Sequence, residues 1–522
     1  MVSANLRFTL RFMGCWFALA LTLSHAAVDS RRTLQLAVQL VEQGKLNEAE
    51  REARSALADL SAAPVAYAVL GGVRLKQGQY PASIVFLEKA LHLEPRLLGA
   101  RLNLAQAYAL SGRSAAAAAS YRRVLELDAN NAPARCALAT SEAAQGHYRN
   151  SLDFARPVLD EMKQTPDGLL VLATDFVGLG QRERAAELAT WPGFDTLPIE
   201  WPVKFALVLA KGGLAAPAAE LLERVKQIHP PAYEIEFNLA GIRLLEGNLD
   251  SALQNYDAAL ALRPESVPAL KQAALVAERR GELERSLSYW VRVKKLQPDD
   301  AETLYGFGKV CLKMDLLEDG APALARAVAL KPDEPLFTYA LASARVGKKQ
   351  FASGEALLAK LLAKRPRDPH LQYALGAVLY LESKLGEAAA HLRESVRLEP
   401  LQTASYYYLG LVARDQGDAP QAIRLFADVL SKHPDHALSY EALGILLFND
   451  RRYQEAKVNL DKAVELNPKS VKANYQLGLL LSRLGDKEAA AQKFDLAKSL
   501  RQEDEATSRL QLRLLDPEQA EQ

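Results

Sequence analysis

The chain has 522 residues, of which 49% are hydrophobic and 24% charged, with 64 Lys and Arg against 63 Asp and Glu. Because single globular cores stop growing at about 250 to 300 residues, the length predicts several domains or an extended array. The composition excludes a disordered or collagen-like protein. The near-zero net charge gives no electrostatic reason to expect nucleic acid or an anionic membrane as the partner.

The start of the chain, over residues 1–26, has the features of a secretory signal peptide. Arg7 and Arg11 form a positively charged start, residues 12–23 are mostly apolar, and the last three residues, SHA, suit signal peptidase. We therefore predict cleavage after Ala26 and an extracytoplasmic chain, periplasmic or secreted. An uncleaved anchor is the alternative, although the apolar run spans only about 18 Å as a helix, against about 30 Å of hydrocarbon. No later segment is apolar enough to predict a membrane span in the mature chain.

A fixed sequence period runs through the chain after this signal. It is marked by evenly spaced prolines, at Pro230, Pro264, Pro298, Pro332, Pro366, Pro400, Pro434 and Pro468. Extending the frame gives about fourteen repeats: four over residues 30–165, two less regular ones over 166–232 and eight over 233–504. We expect a capping helix and a frayed tail over residues 505–522. A constant period of about 34 residues predicts a solenoid.

Two positions of the repeat are always small. Position 8 is Ala or Gly in all fourteen repeats, from Ala37 to Gly478, and position 20 is Ala, Ser or Gly, from Ala49 to Ala490. Small side chains let two helix backbones approach closely. We therefore predict that the two helices of each repeat cross at these positions.

The other positions fit a helix, a turn and a second helix. Apolar residues at positions 4, 7 and 11 form the stripe of an amphipathic first helix, and those at 24, 27 and 28 form that of a second. Glycine stands near position 15 in ten repeats, where a helix end favours a left-handed residue. Proline at position 32 prevents the second helix from continuing. The predicted fold class is all-α, an α-solenoid of about fourteen helix-turn-helix repeats.

The period slips by one residue between residues 166 and 232. The segment 190–202 there contains Trp191, Trp201, three prolines and one glycine. This composition predicts an irregular connection and a hinge at 190–202 rather than a helix. Two interpretations of the tryptophans stay open: they fill the gap left by a distorted repeat, or they form an exposed aromatic surface site for a ligand.

The repeating residues resemble the tetratricopeptide repeat family, whose pattern has Leu-Gly at positions 7 and 8, Ala at 20 and Pro at 32. The repeat containing Gly444, Ala456 and Pro468 is close to that consensus. The resemblance covers nearly all of residues 30–504. It implies a right-handed superhelix whose concave groove binds a protein or peptide, and together with the signal it implies a secreted or periplasmic bacterial member of the family.

The sequence contains no recognisable site for chemistry. No histidine or cysteine stands at ligand spacing, no phosphate loop is present, and Gly306 and Gly308 fit packing positions of a first helix. We therefore expect no enzyme activity, no metal and no cofactor.

A row of tyrosines is the most suggestive candidate binding site. In the family that the chain resembles, positions 2, 5, 9 and 12 of the first helix line the concave groove. Tyrosines at positions 5 and 12 give the candidate partner-binding residues Tyr305, Tyr339, Tyr373, Tyr380, Tyr407 and Tyr475. Tyrosine combines contact area with a hydrogen-bonding tip, which suits recognition of a peptide or helix. The alternative is that these side chains are buried between neighbouring repeats.

Two functions remain as hypotheses. The first is a non-catalytic extracytoplasmic scaffold that holds a protein or peptide in its groove, during envelope assembly or export. The second is an accessory subunit of an envelope polysaccharide or glycosyltransferase machine, which contacts carbohydrate through Trp191 and Trp201. Neither the partner nor the state of self-association can be predicted from these residues.

Overall fold

The computed structural model describes residues 28–507, which contain α-helices, short 3₁₀ turns and connecting turns, and no β-strand. The all-α class is confirmed. The predicted signal peptide and residues 508–522 of the predicted cap and tail lie outside the described residues. The chain divides at Pro264 into two compact bodies, here called the N-terminal body and the C-terminal body.

In the N-terminal body, two α-helices make up most repeats, and the repeats follow in chain order. The helices are α1 (Val28–Glu42), α2 (Leu46–Ser55), α3 (Ala63–Lys76), α4 (Tyr80–Leu93), α5 (Leu98–Leu110), α6 (Ser114–Leu127), α7 (Ala132–Ala144), α8 (Tyr148–Ala155), α9 (Leu159–Lys163), α10 (Pro166–Gly178), α11 (Arg182–Glu187), α12 (Glu200–Lys211), α13 (Ala215–Ile228), α14 (Tyr233–Leu245) and α15 (Leu249–Leu262).

The C-terminal body has the same organisation with more regular helices. They are α16 (Val267–Arg279), α17 (Leu283–Leu296), α18 (Ala301–Lys313), α19 (Leu317–Leu330), α20 (Pro335–Gly347), α21 (Phe351–Lys364), α22 (Pro369–Leu381), α23 (Leu385–Leu398), α24 (Thr403–Asp415), α25 (Ala419–Lys432), α26 (Ala437–Asn449), α27 (Tyr453–Leu466), α28 (Val471–Leu484) and α29 (Lys487–Thr507). Within each body, consecutive helices pack on one another, as expected for an α-solenoid.

The two helices of a repeat cross at the small residues. A Cβ atom added to Gly308 would lie 2.5 Å from Leu324 Cγ and 3.2 Å from the carbonyl oxygen of Gly320, which is the position-20 residue of the same repeat. In the second repeat, the hydroxyl of Ser83 at position 20 donates to the carbonyl of Gly71 at position 8, at 2.8 Å. The predicted crossing point is confirmed.

The turn between the two helices has one conformation throughout. The position-15 residue is left-handed in every repeat: ten are glycines with φ from 72° to 91°, which confirms their predicted role. The other four are not glycine and have φ of 59° to 64°; they are Asp315, Lys349, Ser383 and Arg451. A side chain makes this conformation costly, by about 1 to 2 kcal/mol.

The segment 190–202 is more ordered than its sequence predicts. It contains the end of one 3₁₀ turn, Leu188–Thr190, and a second, Pro192–Asp195, and α12 begins at Glu200. Trp201 and Pro202 are therefore in the first turn of a helix, a correction to the expected irregular connection. Proline is tolerated there because the N–H that it lacks would have no partner within the helix. The whole segment lies inside the N-terminal body, and its role as a hinge stays a prediction.

The last described helix also differs from its prediction. A separate capping helix was expected from Glu505, but α29 runs without a break from Lys487 to Thr507. The sequence over this span has neither Gly nor Pro and is rich in Ala, Glu, Gln and Lys. These residues favour continuation of a helix, which explains why no new helix begins at residue 505.

Candidate functional site

The position-5 tyrosines all lie on first helices of the C-terminal body, but they differ in exposure. Tyr475 on α28 is 48% exposed, whereas Tyr339 on α20 and Tyr373 on α22 are only 7% and 3% exposed. Tyr305 on α18 and Tyr407 on α24 are half-buried. Tyr339 and Tyr373 are therefore core residues, which corrects the expectation that they contact a partner.

The burial of these tyrosines comes from the next repeat along the chain. The ring of Tyr305 stacks on that of Phe337 at the start of α20, with centroids 4.7 Å apart. The ring of Tyr373 meets that of Tyr408 on α24 edge to face, at 5.7 Å. The alternative interpretation, packing between neighbouring repeats, describes this part of the row.

Tyr408 is the centre of an aromatic cluster that was not predicted from the sequence. Besides Tyr373, it contacts Tyr380 and Tyr407, each edge to face with centroids 5.7 Å apart. Tyr407 also packs on Phe426 at 5.7 Å. Edge-to-face contacts of this kind add about 0.5 to 1.5 kcal/mol each beyond area burial, so the rings are held in fixed orientations.

A polar triad stands at one edge of this cluster. The hydroxyl of Tyr380 donates to Asp415 Oδ2 at 2.8 Å, and Arg414 donates from Nη2 to the Tyr380 oxygen at 3.0 Å and from Nε to Asp415 Oδ1 at 2.7 Å. Burial and the hydrogen bond to Asp415 raise the pKa of Tyr380 to about 12. Burial would raise the pKa of Asp415, but hydrogen bonds from Arg414 and Tyr380 outweigh it and lower that pKa. At neutral pH the triad therefore holds a neutral tyrosine between a guanidinium and a carboxylate.

His436 closes the other side of Tyr407. Its ring contacts the Tyr407 ring at 5.2 Å, and its Nδ1 accepts a hydrogen bond from the backbone N–H of Ser439, which caps α26. Burial and the neighbouring His433 lower the pKa of His436. The histidine is consequently a neutral cap that fixes the entry of α26 beside the tyrosine cluster.

Between Tyr407 and Tyr475, position 5 of the intervening repeat is Glu441 rather than tyrosine, and this glutamate has structural partners of its own. This side chain, on α26, accepts a hydrogen bond from Ser470 Oγ at 2.8 Å and pairs with Lys472 Nζ at 3.0 Å. The ion pair joins the repeat of α26 to that of α28. Glu441 therefore replaces an aromatic contact between repeats with a charged one.

Four partly exposed apolar side chains and one arginine remain available at this face. The four apolar side chains pack against one hydrophobic core cluster of the C-terminal body, and the arginine donates a hydrogen bond to one of the four. On α22, α24 and α26, these residues are Tyr380, Tyr407, Arg414, Ile445 and Phe448. We call this set the aromatic face. Its residues stand at positions 5, 9 and 12 of their repeats, and two of them, Tyr380 and Tyr407, belong to the tyrosine row.

The two tryptophans of the N-terminal body have separate partners. Trp191 is half-buried, and its ring meets Phe194 edge to face at 5.2 Å, with Phe194 in turn 4.8 Å from Phe205. Trp201 is half-buried at the start of α12, with Lys204 Nζ 5.2 Å from its ring centroid. Trp191 thus packs against the core of the distorted repeat, whereas Trp201 lies outside that core cluster.

The described part of the chain offers neither a metal cluster nor a membrane span. No group of three or more His, Cys, Asp or Glu side chains between residues 28 and 507 could hold a metal ion. None of the helices in that range is long and apolar enough to cross a membrane.

Comparison with known proteins finds a similar repeat. Two sequence models of the tetratricopeptide repeat match the chain, one at residues 73–132, 339–403 and 407–457 and the other at 459–492. These four segments are similar to tetratricopeptide repeats. They include all the residues of the aromatic face. No curated protein sequence matches the chain.

Solved structures with similar helix arrangements come from several sources. A tetratricopeptide repeat protein from Parabacteroides merdae is 18% identical, with 48% of this chain and 98% of that chain covered and a TM-score of 0.40. The Cut9–Hcn1 hetero-tetramer of the APC/C gives 13% identity, 87% and 97% coverage and a TM-score of 0.40. Yeast Tom70 gives 16% identity, 92% and 97% coverage and a TM-score of 0.36.

Proposed function

We propose that the chain is a non-catalytic scaffold that binds a protein or peptide partner through the aromatic face of the C-terminal body. The observation that carries the proposal is the presence of three half-buried aromatic rings and one arginine on successive repeats. Tyr and Arg are the residue types, with Trp, that dominate binding energy at protein interfaces. Tetratricopeptide repeat proteins in general mediate protein–protein interaction, which supports the same assignment.

The packing of the face favours binding. Tyr380 and Tyr407 are both held by Tyr408, and Tyr380 is also held by Asp415. Side chains that are already fixed lose little conformational freedom when a partner binds, which saves about 0.5 to 1.5 kcal/mol for each immobilised side chain. Arg414 uses two of its five N–H donors in the triad, so it can also donate to an acceptor on the partner.

The test is a pull-down of partner proteins with the full-length chain and with variants of the aromatic face. Phe448→Ala combined with Arg414→Ala removes a ring and the guanidinium from the aromatic face. Tyr406→Ala is the matched control, because Tyr406 adjoins Tyr407 in sequence but packs under Lys432, 4.4 Å from its ring centroid. Proteins bound by the wild type and by the control, but lost from the double variant, are the expected result. Equal binding by all three folded proteins would contradict the assignment of this face.

We also propose that the protein acts outside the cytoplasm, in envelope assembly or export. The basis is the signal-like composition of residues 1–26. Mass spectrometry of the protein from its native host gives the mature N-terminus, and a chain that begins at Ala27 is the expected result. A chain that retains residues 1–26 and fractionates with the cytoplasm would contradict this location.

The alternative function, carbohydrate contact in an envelope polysaccharide machine, now depends on Trp201 more than on Trp191. Trp201 is half-buried and lies outside the core cluster against which Trp191 packs, and sugars stack on exposed aromatic faces. Quenching of tryptophan fluorescence by glycans in the wild type, and its loss in Trp201→Phe but not in Trp191→Phe, would support this function. An unchanged emission spectrum would exclude it.

A further inference from the structure

A buried carboxyl group in the N-terminal body has no role in the proposed function. Asp175 on α10 is 0% exposed. It stands at position 10 of its repeat, where eleven of the fourteen repeats have Ala, Val, Ile or Leu. A buried carboxylate without a cationic partner is strongly unfavourable, so such a group becomes neutral by taking up a proton.

The hydrogen bonds around Asp175 require one more proton than its neighbour can supply. Ser151 Oγ lies 2.5 Å from Asp175 Oδ2 and 2.8 Å from the carbonyl oxygen of Ala139. Two other serines at the same position of their repeats, Ser83 and Ser286, donate to the equivalent carbonyl at the same 2.8 Å. A hydroxyl carries a single proton. If Ser151 gives that proton to Ala139, as its counterparts do, the proton between Ser151 and Asp175 comes from Asp175.

Between residues 28 and 507, no charged side chain compensates for ionisation of Asp175. Its Oδ1 has no hydrogen-bond partner among the described residues. Helix α10 packs against α7, α8, α9, α11 and α12. Titratable groups on these helices and on α10 itself interact with other residues. Glu142 pairs with Arg122 and His147, Tyr148 packs at Gly178, Glu161 acts on Cys136, Arg184 lies over the Phe176 ring, and Lys204 acts on Asp167. Burial raises the pKa of Asp175 to about 7; a hydrogen bond that Ser151 donates to the ionised carboxylate opposes this rise but does not cancel it.

We propose that Asp175 is a proton-controlled latch between the fourth and fifth repeats. In the protonated state, the carboxyl group donates to Ser151, Ser151 donates to Ala139, and α10 is joined to α7 and α8. In the ionised state, the carboxylate leaves a buried negative charge beside an apolar core. Loss of the proton therefore loosens the contact between α10 and the preceding repeat.

The sign of the pH effect follows from proton binding. The folded chain keeps the proton on Asp175 up to a higher pH than the unfolded chain does, because the folded pKa is raised. The stabilisation is complete below the unfolded pKa of about 4, declines as pH rises, and is lost above the folded pKa. Between the unfolded pKa and the folded pKa, the equilibrium constant for local opening rises by up to about tenfold per pH unit.

Amide hydrogen exchange of the full-length chain at about pH 5 and about pH 8, corrected for intrinsic rates, tests the latch. Two variants are compared with the wild type. Asp175→Asn mimics the protonated acid. Asp175→Val reproduces the corresponding arrangement farther along the chain: there Ser286 stands at position 20, as Ser151 does, and the next repeat has Val310 at position 10. We expect the wild type to lose about tenfold or more of its protection in α8 and α10 between the two pH values, and both variants to keep theirs.

The same pH response in the wild type and in either folded variant would overturn the proposal. A second measurement does not depend on how well the variants fold. Infrared difference spectra of the wild type between the two pH values should show the carbonyl band of a buried protonated carboxylic acid, which is lost at the higher pH. This band should shift in deuterium oxide more slowly than the bands of surface carboxyl groups. Absence of that band at the lower pH would equally overturn it.

Discussion

The hydroxyl of Tyr380 donates a hydrogen bond to the carboxylate of Asp415 at 2.8 Å, although the two residues are 35 positions apart in the chain. Tyr380 lies at the end of α22 and Asp415 at the end of α24, so the bond ties the first helices of two successive repeats together at their last turns. Arg414 bonds to both groups. The aromatic face is consequently fixed by a charge-assisted bond as well as by ring packing.

Removing this hydroxyl should weaken the contact between the two repeats. In Tyr380→Phe, the carboxylate of Asp415 loses a donor, and its lowered pKa should move back toward the usual range. We expect a loss of about 1 to 2 kcal/mol of local stability, since the bond is made to a charged group. Hydrogen exchange at α22 and α24 measures it. Tyr475→Phe, at an exposed ring, is the control; an equal effect in both variants would contradict the assigned role.

The stability of the C-terminal body should fall in acid through Asp300. Burial would raise the pKa of this group, but hydrogen bonds from Lys271 and Thr303 outweigh it and lower the pKa to about 2. The stabilisation is therefore present above the unfolded pKa and lost as pH falls from about 5 to about 2. After allowance for solvent screening we expect about 1 kcal/mol.

The measurement for Asp300 is urea-induced unfolding across this pH range, with Asp300→Asn as the reference. The asparagine keeps an acceptor for the N–H of Thr303 but cannot ionise. The wild type should lose stability relative to the variant as the pH falls. A constant difference between the two proteins at all pH values would show that the charge of Asp300 does not contribute.

Glycine at a strained turn should stabilise the protein. Lys349 has φ of 59° at the position-15 turn after α20, where most repeats have glycine. Lys349→Gly relieves the steric cost of a left-handed side chain, and we expect a gain of about 1 kcal/mol. Gly417→Ala, at the same position two repeats later, should lose a similar amount. Urea-induced unfolding of both variants and of the wild type measures these changes. If the midpoints of the two variants shift in the same direction from that of the wild type, the left-handed turn does not control their stability.

A single methyl group at the helix crossing should be costly. In Gly308→Ala, the new Cβ would stand 2.5 Å from Leu324 Cγ and 3.2 Å from a backbone oxygen, and we expect a loss of about 1 to 3 kcal/mol. Gly386→Ala is the matched control, because no atom lies within 4 Å of its added Cβ. That variant should be neutral or stabilised by up to about 1 kcal/mol. Thermal unfolding followed by circular dichroism separates the two.

Much of the fold could be predicted because its requirements fall on single residues. Position 15 needs a left-handed backbone, and glycine marks it in ten repeats. Position 8 needs close approach of two backbones, as Gly308 shows. The segment 190–202 was harder, because proline and glycine punctuate irregular connections and also occur in 3₁₀ turns and at helix starts. Trp201 and Pro202 belong to such a start.

The candidate site was less predictable because burial depends on two repeats at once. Tyr373 and Tyr475 occupy the same position, yet one is covered by Tyr408 of the following repeat and the other contacts Phe494 of its own repeat and stays 48% exposed. The residue type at position 5 of one repeat does not show which side chain of the following repeat covers it. Asp175 did leave a signal, as one of the few polar residues in a mostly aliphatic position 10. It becomes visible only when that column is compared across all repeats.

The uniform left-handed turn also bears on how such a chain changes in length. The interval from Gly180 to Gly213 is shorter by a single residue than the interval between other successive turns, yet both glycines keep the left-handed conformation, with φ of 72° and 74°. The missing residue is absorbed in the stretch of 3₁₀ turns between α11 and α12. A gene could thus lose a codon in that stretch, or gain or lose the codons of a whole repeat anywhere, without misaligning the turns that follow. In evolution, the tolerance to insertion and deletion would then be concentrated between repeats.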